Sequence, residues 1–239
     1  MNDWTAQAVL LNIRLQVATL HAASIPNTRN INHSLVMTDR DHSTSIPSGG
    51  ALARLAEALG SETRRKGLPP VERWNPPYCG EIDMRIAADG SWHYNGSVIG
   101  RPALVRLFAS VLRKDPERYV LVTPVERVGI TVEDVPFVAG EMAVEGEGSQ
   151  RQIAFRTNVD DFVSVGPDHP LRFERDATGG LKPYVLVRRE LWARVTRAVT
   201  YDLVELGAER NVDGRDMFGI EANGMFFPVA PLTELESLS

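Results

Sequence analysis

The 239-residue sequence contains a single cysteine, Cys79. One cysteine cannot form a disulfide within the chain, so the sequence favours a reducing compartment and excludes the disulfide-rich secreted class. Lysine is also scarce, because the basic residues are almost all arginine, and the net charge is −5. An acidic chain lacks the basic footprint that nucleic acids and anionic membrane surfaces require. We therefore expect no nucleic-acid partner.

Long hydrophobic runs are absent as well. No apolar stretch approaches the roughly 20 residues that a membrane-spanning helix needs. Asp3 stands where a secretion signal would carry basic residues, and Arg14 interrupts the apolar stretch that follows. These features predict a cytoplasmic protein with no membrane partner.

Motifs for metals and common cofactors are also missing. No Cys/His cluster has the spacing of a metal site. Neither a GxxxxGK[ST] phosphate loop nor a GxGxxG dinucleotide motif occurs. Residues 211–222 follow a calcium-loop pattern only in part, because Arg215 and Ala222 stand where oxygen ligands are needed. The sequence therefore predicts no metal and no cofactor.

The N-terminal fifth of the chain has little fold-forming pattern. Residues 1–22 can form an amphipathic helix, but the stretch that follows is rich in Ser, Thr, Asn and Pro. We expect residues 1–48 to be disordered or to be a non-native N-terminal extension. Order is predicted to begin with a short helix over residues 48–60, where leucines recur on one stripe.

Residues 49–133 are predicted to form an N-terminal domain. From residue 80 onward apolar and polar residues alternate, which predicts a strand. Two hairpin turns, Asp89-Gly90 and Asn95-Gly96, follow at short spacing, so three strands are expected to form a meander. A helix predicted over residues 102–114 and further strands complete the domain.

Residues 134–233 are predicted to form a C-terminal domain. Short alternating strands lead to a helix predicted over residues 190–206, and a hairpin turning at Asn223-Gly224 follows it. In both domains a small antiparallel sheet or half-barrel is packed by one helix and followed by more strands. The sequence thus predicts an α+β fold of two tandem related units that arose by duplication.

The segment VERWNPPYCGEIDMRI, residues 71–86, is the most unusual in composition. Its paired prolines exclude a central strand and suit a segment laid across a sheet edge or a domain seam. Aromatic side chains there could stack on a base, and arginines could grip a phosphate with two hydrogen bonds. We therefore predict a cleft between the domains for a small anionic ligand. The predicted lining residues are Trp74, Asn75, Tyr78, Arg85, Arg156 and Asn158.

Two other functions stay open on the residues alone. Cys79 could be the nucleophile of a small hydrolase or transferase with His93 or His169 as base, although a lone cysteine is more often a small buried hydrophobe. The acidic strand face of Glu81 and Asp83 could divide acid and base work. Alternatively, the chain is a protein-binding module that offers a sheet edge and needs no small ligand.

Six segments of the chain carry a family resemblance: WNPPYCGEIDMRIAADGSWHYNGSVIGRPALVRLF, RYVLVTPVERVGITVEDVPFVA, FRTNVDD, GPDHPLRF, MFGI and FFPV. Together they resemble the bacterial family called domain of unknown function 1285 (DUF1285), from about Leu68 to about Pro231. The resemblance implies two domains built on a duplicated α+β motif, the second superficially like a pleckstrin-homology fold. It also implies an interdomain site for a nucleotide-like ligand, a role in signal transduction and no established reaction. We therefore expect a non-enzymatic sensor or adaptor with a signalling protein as partner.

Overall fold

The computed structural model describes residues 68–236 of the chain. Three predictions lie outside the described residues: the helix over residues 1–22, the disordered or non-native extension over 1–48, and the helix over 48–60. Within the described part strands dominate, with fifteen strands and three short α-helices. The fold is therefore richer in β-structure than the predicted α+β class implied.

The N-terminal domain is one six-stranded sheet that a helix covers. In chain order its elements are η1 (Val71–Arg73), β1 (Tyr78–Ile86), β2 (Trp92–Tyr94), β3 (Ser97–Val98), α1 (Pro102–Ser110), β4 (Leu112–Asp115), β5 (Arg118–Val122) and β6 (Arg127–Val132). The strands lie in the order β3-β2-β1-β6-β5-β4. Only β1 and β6 are parallel neighbours, so two antiparallel meanders meet at that pair.

The C-terminal domain contains a second six-stranded sheet and a smaller third sheet. The six strands are β7 (Phe137–Glu145), β8 (Gln152–Thr157), β9 (Phe162–Ser164), β10 (Leu171–Arg175), β11 (Leu181–Arg188) and β12 (Leu191–Val195), with the turn η2 (Gly148–Gln150) between β7 and β8. They lie in the order β10-β11-β12-β7-β8-β9. The chain ends with α2 (Arg197–Glu205), β13 (Gly207–Val212), β14 (Arg215–Ala222), β15 (Met225–Pro231) and α3 (Leu232–Glu236).

The two six-stranded sheets have the same topology. Each contains two antiparallel meanders, and the first strand of the first meander pairs in parallel with the last strand of the second. The structural repeat is therefore β1–β6 and β7–β12, rather than the predicted order of a small sheet, one helix and further strands in each domain. The helices do not follow the repeat, because α1 lies between the two meanders of its sheet and α2 follows both meanders of the other.

Both predicted long helices are shorter than expected. The first begins at Pro102 as predicted, but it ends at Ser110, and residues 112–115 pair with β5. The second begins at Arg197 instead of residue 190, because the segment before it is strand β12. In β12 the buried residues alternate with period two, and this pattern overrode the helical spacing that the prediction used.

The hairpin turns follow the sequence signals closely. Asn95-Gly96 and Asn223-Gly224 have positive φ at both residues, which confirms the predicted two-residue turns. Asp213-Gly214 makes the same turn, with φ of 51° and 79°, and joins β14 to β13, a strand that the sequence analysis missed. At Asp89-Gly90 only the glycine has positive φ, because this loop extends to a backbone hydrogen bond between Ala87 and Ser91.

One hydrophobic core runs through both domains. The largest buried side chains of the N-terminal domain, such as Trp92 and Phe108, belong to the same cluster as Phe137, Phe155 and Leu203 of the C-terminal domain. The rings of Trp92 and Phe108 stack with centroids 6.4 Å apart. Because the apolar packing is continuous, the two domains stabilise each other and do not form two separate cores.

The seam between the domains carries hydrogen bonds as well as apolar contacts. Asn158 Nδ2 donates to the Gly90 carbonyl at 3.1 Å, and Asn158 Oδ1 accepts from the Val138 N–H at 3.0 Å. Arg194 Nη2 donates to the Ala88 carbonyl at 2.8 Å. The β1–β2 loop of the N-terminal domain is thus held by side chains of the C-terminal domain.

A buried arginine makes a second connection between the domains. Arg188 Nη2 donates to the Ala109 carbonyl at 2.9 Å, and its other terminal nitrogen pairs with Asp161. Burial lowers the pKa of Arg188 to about 10, so the guanidinium remains charged at neutral pH.

Among residues 68–236 no helix is long and apolar enough to cross a membrane.

Replacing Gly90 with alanine tests how tightly the seam is packed. A Cβ at residue 90 would lie 2.7 Å from Val138 Cγ2 and 2.8 Å from Asn158 Nδ2, on a backbone with φ of +84°. We expect Gly90→Ala to lower the free energy of unfolding by about 3 kcal/mol, since overpacking adds to backbone strain. Urea denaturation measures this loss.

The matched control is Gly96→Ala. Gly96 has φ of +74°, but a Cβ there would meet nothing within 4 Å. Gly96→Ala should lower the free energy of unfolding by about 1 kcal/mol, from backbone strain alone. Equal losses for the two variants would contradict a tightly packed seam at Gly90.

Candidate functional site

The C-terminal sheet presents a polar face next to the segment that joins the domains. In β10, β11 and β12 the register places Arg172 opposite Tyr184 and Tyr184 opposite Arg194. Trp192 lies two residues before Arg194, so its side chain points to the same face. Asp134, in the connection between β6 and β7, reaches this face and contacts it.

A pocket of about 540 Å³ opens between this face and the N-terminal domain. Its volume falls in the range of roughly 300–1,000 Å³ that is usual for small-molecule sites, which are common at domain boundaries. The residues that line it are Lys114, Tyr119, Asp134, Val135, Arg172, Glu174, Glu190 and Trp192. Strands β4 and β5 supply the first two, so both domains contribute to the pocket.

A cationic side chain lies against each aromatic ring of the pocket. Lys114 Nζ lies 4.4 Å from the centroid of the Tyr119 ring. Arg172 Cζ lies 4.4 Å from the Trp192 centroid and 4.7 Å from the Tyr184 centroid. Such cation–π contacts orient the cations over the rings. The pocket therefore contains the rings and cationic groups that the sequence analysis expected at the seam, but from different residues.

Arg172 keeps an unused hydrogen-bond donor. Its Nε atom is buried and makes no hydrogen bond. The atom lies 3.3 Å from Glu174 Oε1, but this contact is an ion pair without hydrogen-bond geometry. A buried N–H without an acceptor is unfavourable, so this arrangement costs stability.

Asp134 is the central carboxylate of the polar face. Its Oδ1 atom accepts a hydrogen bond from the Tyr184 hydroxyl at 3.0 Å. Its Oδ2 atom lies 3.3 Å from Lys182 Nζ and 3.6 Å from Arg194 Nη1. Asp134 therefore balances two cations and holds the domain connection against the C-terminal sheet.

Burial sets the ionisation of the two tyrosines here. It raises the pKa of Tyr119, and the carboxylates of Asp134 and Glu190 act in the same direction. Burial also raises the pKa of Tyr184, whose hydroxyl donates a hydrogen bond to Asp134. Both phenols therefore stay protonated at neutral pH, and the Tyr184 hydroxyl serves as a hydrogen-bond donor.

Trp74 and Tyr78 lie away from this pocket. The Trp74 carbonyl accepts from Arg113 Nη1 at 2.7 Å. The Tyr78 hydroxyl donates to Glu81 Oε1 at 2.6 Å and accepts from Arg118 Nη1 at 2.9 Å. Tyr78 begins β1, and the loop that reaches the seam follows the other end of this nine-residue strand, roughly 26 Å away.

The other predicted lining residues are either paired with carboxylates or exposed. Arg85 pairs with Glu133, and Asn75 is exposed. Arg156 lies between Glu141 and Asp160, with N–O distances of 3.2 Å and 2.7 Å. The structure therefore does not bring the six predicted residues into one cleft, because Tyr78 lies at the far end of β1 from the loop that reaches the seam. Their role in ligand binding stays a prediction.

Arg156 and Asn158 do lie together. They line a shallow recess of about 280 Å³ beside β7, whose other lining residues are Val138, Gly140, Glu141, Thr157 and Asp160. Both side chains already have protein partners, since Arg156 is paired with two carboxylates and Asn158 holds the Gly90 loop. Their principal contacts are thus structural.

Cys79 is exposed, and its Sγ donates only to the Pro77 carbonyl, at 3.6 Å, within the described part of the chain. His93 bonds to the Ser91 hydroxyl and His169 to the Leu186 carbonyl. The structure therefore brings neither histidine to the thiol. Across residues 68–236 no group of acidic, histidine or cysteine side chains has a metal-site arrangement.

The sequence analysis missed the residues of the interdomain pocket. The helix that it predicted over residues 190–206 includes Trp192, whereas the structure has this residue in strand β12, with its ring on a polar face. The period-two alternation of residues 191–195 was the signal that could have shown this. Lys114 and Tyr119 carried no local signal, because only the β4–β5 hairpin places their side chains opposite each other.

Replacing Tyr184 with phenylalanine tests the buried phenol. We expect Tyr184→Phe to lower the free energy of unfolding at neutral pH by about 1 kcal/mol, since Asp134 Oδ1 loses its donor. The folded protein retains the Tyr184 proton above the ordinary pKa of 10.0, so wild-type stability falls as the pH rises through that raised value.

The variant lacks this ionisation, and its stability should fall less steeply at alkaline pH. Urea denaturation of both proteins at a series of pH values above neutrality measures the two slopes. Identical slopes would contradict a raised pKa at Tyr184.

Two family models match the described part of the chain. The model described as "Domain of unknown function (DUF1285), N-terminal domain" matches residues 69–135. The model described as "Protein of unknown function (DUF1285), C-terminal domain" matches residues 136–229. The join between them lies close to the boundary predicted at residues 133 and 134. A search of curated proteins found no match.

Two solved structures are similar to the chain. A DUF1285 family protein from Silicibacter pomeroyi DSS-3 is 46% identical, with a TM-score of 0.67, and the match covers 74% of this chain and 97% of that one. A DUF1285 family protein from Shewanella baltica OS155 is 26% identical, with a TM-score of 0.43 over 52% of this chain and 91% of that one. The two family models and the first relative confirm the resemblance read from the sequence: the chain belongs to the DUF1285 family.

Proposed function

We propose that this protein binds a small nucleotide-like molecule in the interdomain pocket. The observation that carries the proposal is the set of rings and cations there, in a pocket to which both domains contribute. A flat ring would lie against Trp192 and Tyr119, and an anionic group would meet Lys114 and Arg172. The proposed role is binding and not catalysis.

Charge alone would not make this pocket bind an anionic ligand. The lining includes three carboxylates and two cations, so the pocket has no strong positive field. One of the carboxylates, Asp134, is balanced by Lys182 and Arg194 beside the pocket. Affinity would come from ring stacking and from directed contacts with the side chains of Lys114 and Arg172.

The proposed role is that of a cytoplasmic sensor or adaptor in signal transduction. The shared core and the seam hydrogen bonds oppose a large reorientation of the domains. The ligand would therefore act by stabilising the existing arrangement and by changing the surface around the pocket, where a partner protein could read its presence. The family resemblance also implies a pleckstrin-homology-like C-terminal domain. That likeness stays a prediction.

Tryptophan fluorescence tests the proposal with adenosine monophosphate as the probe. A base stacked on Trp192 should quench the emission of the wild-type protein in a saturable manner. In the Trp192→Leu variant most of the quenching should disappear, and calorimetry should show a roughly tenfold loss of affinity from the lost stacking.

The matched control is Trp74→Leu, because Trp74 is also half-buried but lies away from the pocket. This variant should keep both the quenching and the affinity. If adenosine monophosphate and other ring-bearing anions neither quench Trp192 nor stabilise the protein at concentrations far above a plausible Kd, the proposal fails. Native mass spectrometry that found a protein partner and no small molecule would favour the protein-binding alternative.

A further inference from the structure

A second recess lies on the same polar face, on the other side of the Asp134–Tyr184 pair. It has a volume of about 220 Å³. Its lining residues are Asp176, Gly180, Leu181, Lys182, Arg194, Val195, Arg197 and Thr200. This recess is too small for a typical drug-sized ligand, whose pockets start at roughly 300 Å³, but it can hold one compact polar group.

Three cationic side chains meet at this recess. Lys182 and Arg194 share the single carboxylate of Asp134, at 3.3 Å and 3.6 Å. Arg197 begins α2, and the hydrogen bonds of its guanidinium go to the hydroxyl of Tyr201, at 3.4 Å. Within the described residues no carboxylate forms an ion pair with Arg197, so the cluster carries excess positive charge.

The one acidic residue in the lining, Asp176, offsets only part of this positive charge. Asp176 Oδ1 accepts hydrogen bonds from the N–H of Thr178 at 2.8 Å, from its hydroxyl at 2.6 Å and from the Gly180 N–H at 2.8 Å. These bonds, the Thr178 hydroxyl first, lower the pKa of Asp176 and hold its carboxylate in the β10–β11 loop. Three cations therefore face two carboxylates, and both carboxylates have fixed protein partners.

The start of α2 adds to the same field. Thr196 makes no side-chain capping hydrogen bond, and the first turn of this nine-residue helix contains no acidic residue. The positive end of the helix dipole is thus unopposed beside Arg197 and Lys182. The cluster of cations carries the argument, and the helix end increases its strength.

We propose that this recess binds a phosphate group through Lys182, Arg194 and Arg197. Arginine presents paired N–H groups that match phosphate oxygens, and lysine supplies a mobile point charge, so together they suit a compact dianion. The site goes beyond the proposed function, since it requires no ring-bearing ligand and lies outside the interdomain pocket.

Titration with inorganic phosphate tests the site. Sodium phosphate should raise the Tm of the full-length protein above that in sodium chloride of equal ionic strength, and calorimetry should give a saturable isotherm. Arg197→Gln should raise the Kd for phosphate at least tenfold, because it removes the cation that has no carboxylate partner. Lys182→Gln should act in the same direction.

The matched control is Arg215→Gln, which removes the same charge from an exposed arginine in β14, in a different sheet. This variant should bind phosphate like the wild type, and so should Trp192→Leu, which separates this site from the interdomain pocket. Absence of a phosphate-specific effect on the wild type would overturn the proposal. An equal loss in Arg197→Gln and Arg215→Gln would also overturn it, because it would show nonspecific attraction of anions.

Discussion

Side chains of the C-terminal domain donate hydrogen bonds to backbone carbonyls of the N-terminal domain. Asn158 and Arg194 hold the β1–β2 loop through Gly90 and Ala88, and Arg188 holds the last turn of α1 through Ala109. The final carbonyls of a helix have no partner within the helix, and a buried one must find a donor elsewhere. The N-terminal domain thus depends on its neighbour for backbone hydrogen bonding as well as for apolar packing.

The repeated topology explains where the interdomain pocket lies. The two central strands of each six-stranded sheet are a parallel pair, β1 with β6 and β7 with β12. The chain therefore leaves the centre of one sheet at β6 and enters the centre of the next at β7. The short connection between them carries Asp134, which is anchored to Tyr184 on the second sheet. This anchor brings the β4–β5 hairpin close to the polar face of β10–β12, and the two surfaces enclose the pocket.

Most arginines at the seam are structural, although an anion site was the function expected of them. Arg85 and Arg156 are paired with carboxylates, and the buried Arg188 combines an ion pair with a carbonyl contact. Two other arginines, Arg172 and Arg197, form no hydrogen bond to a carboxylate within residues 68–236. Both line recesses on the same sheet face, which therefore contributes residues to both proposed binding sites.

Local patterns in the sequence determined much of the secondary structure. Asn-Gly pairs specified hairpin turns, since asparagine and glycine accept positive φ with little strain, and the alternation after residue 80 specified β1. Family membership also followed from the sequence, because the motif around residues 74–108 is long and unusual. Tertiary structure decided the rest. Apolar residues recur at helical spacing over residues 192–206, but residues 191–195 pair as strand β12. Trp192 therefore lies on a sheet face instead of in a helix. The partners of each arginine were also set by strand register and domain contact, which join residues far apart in the chain and leave no trace in local periodicity.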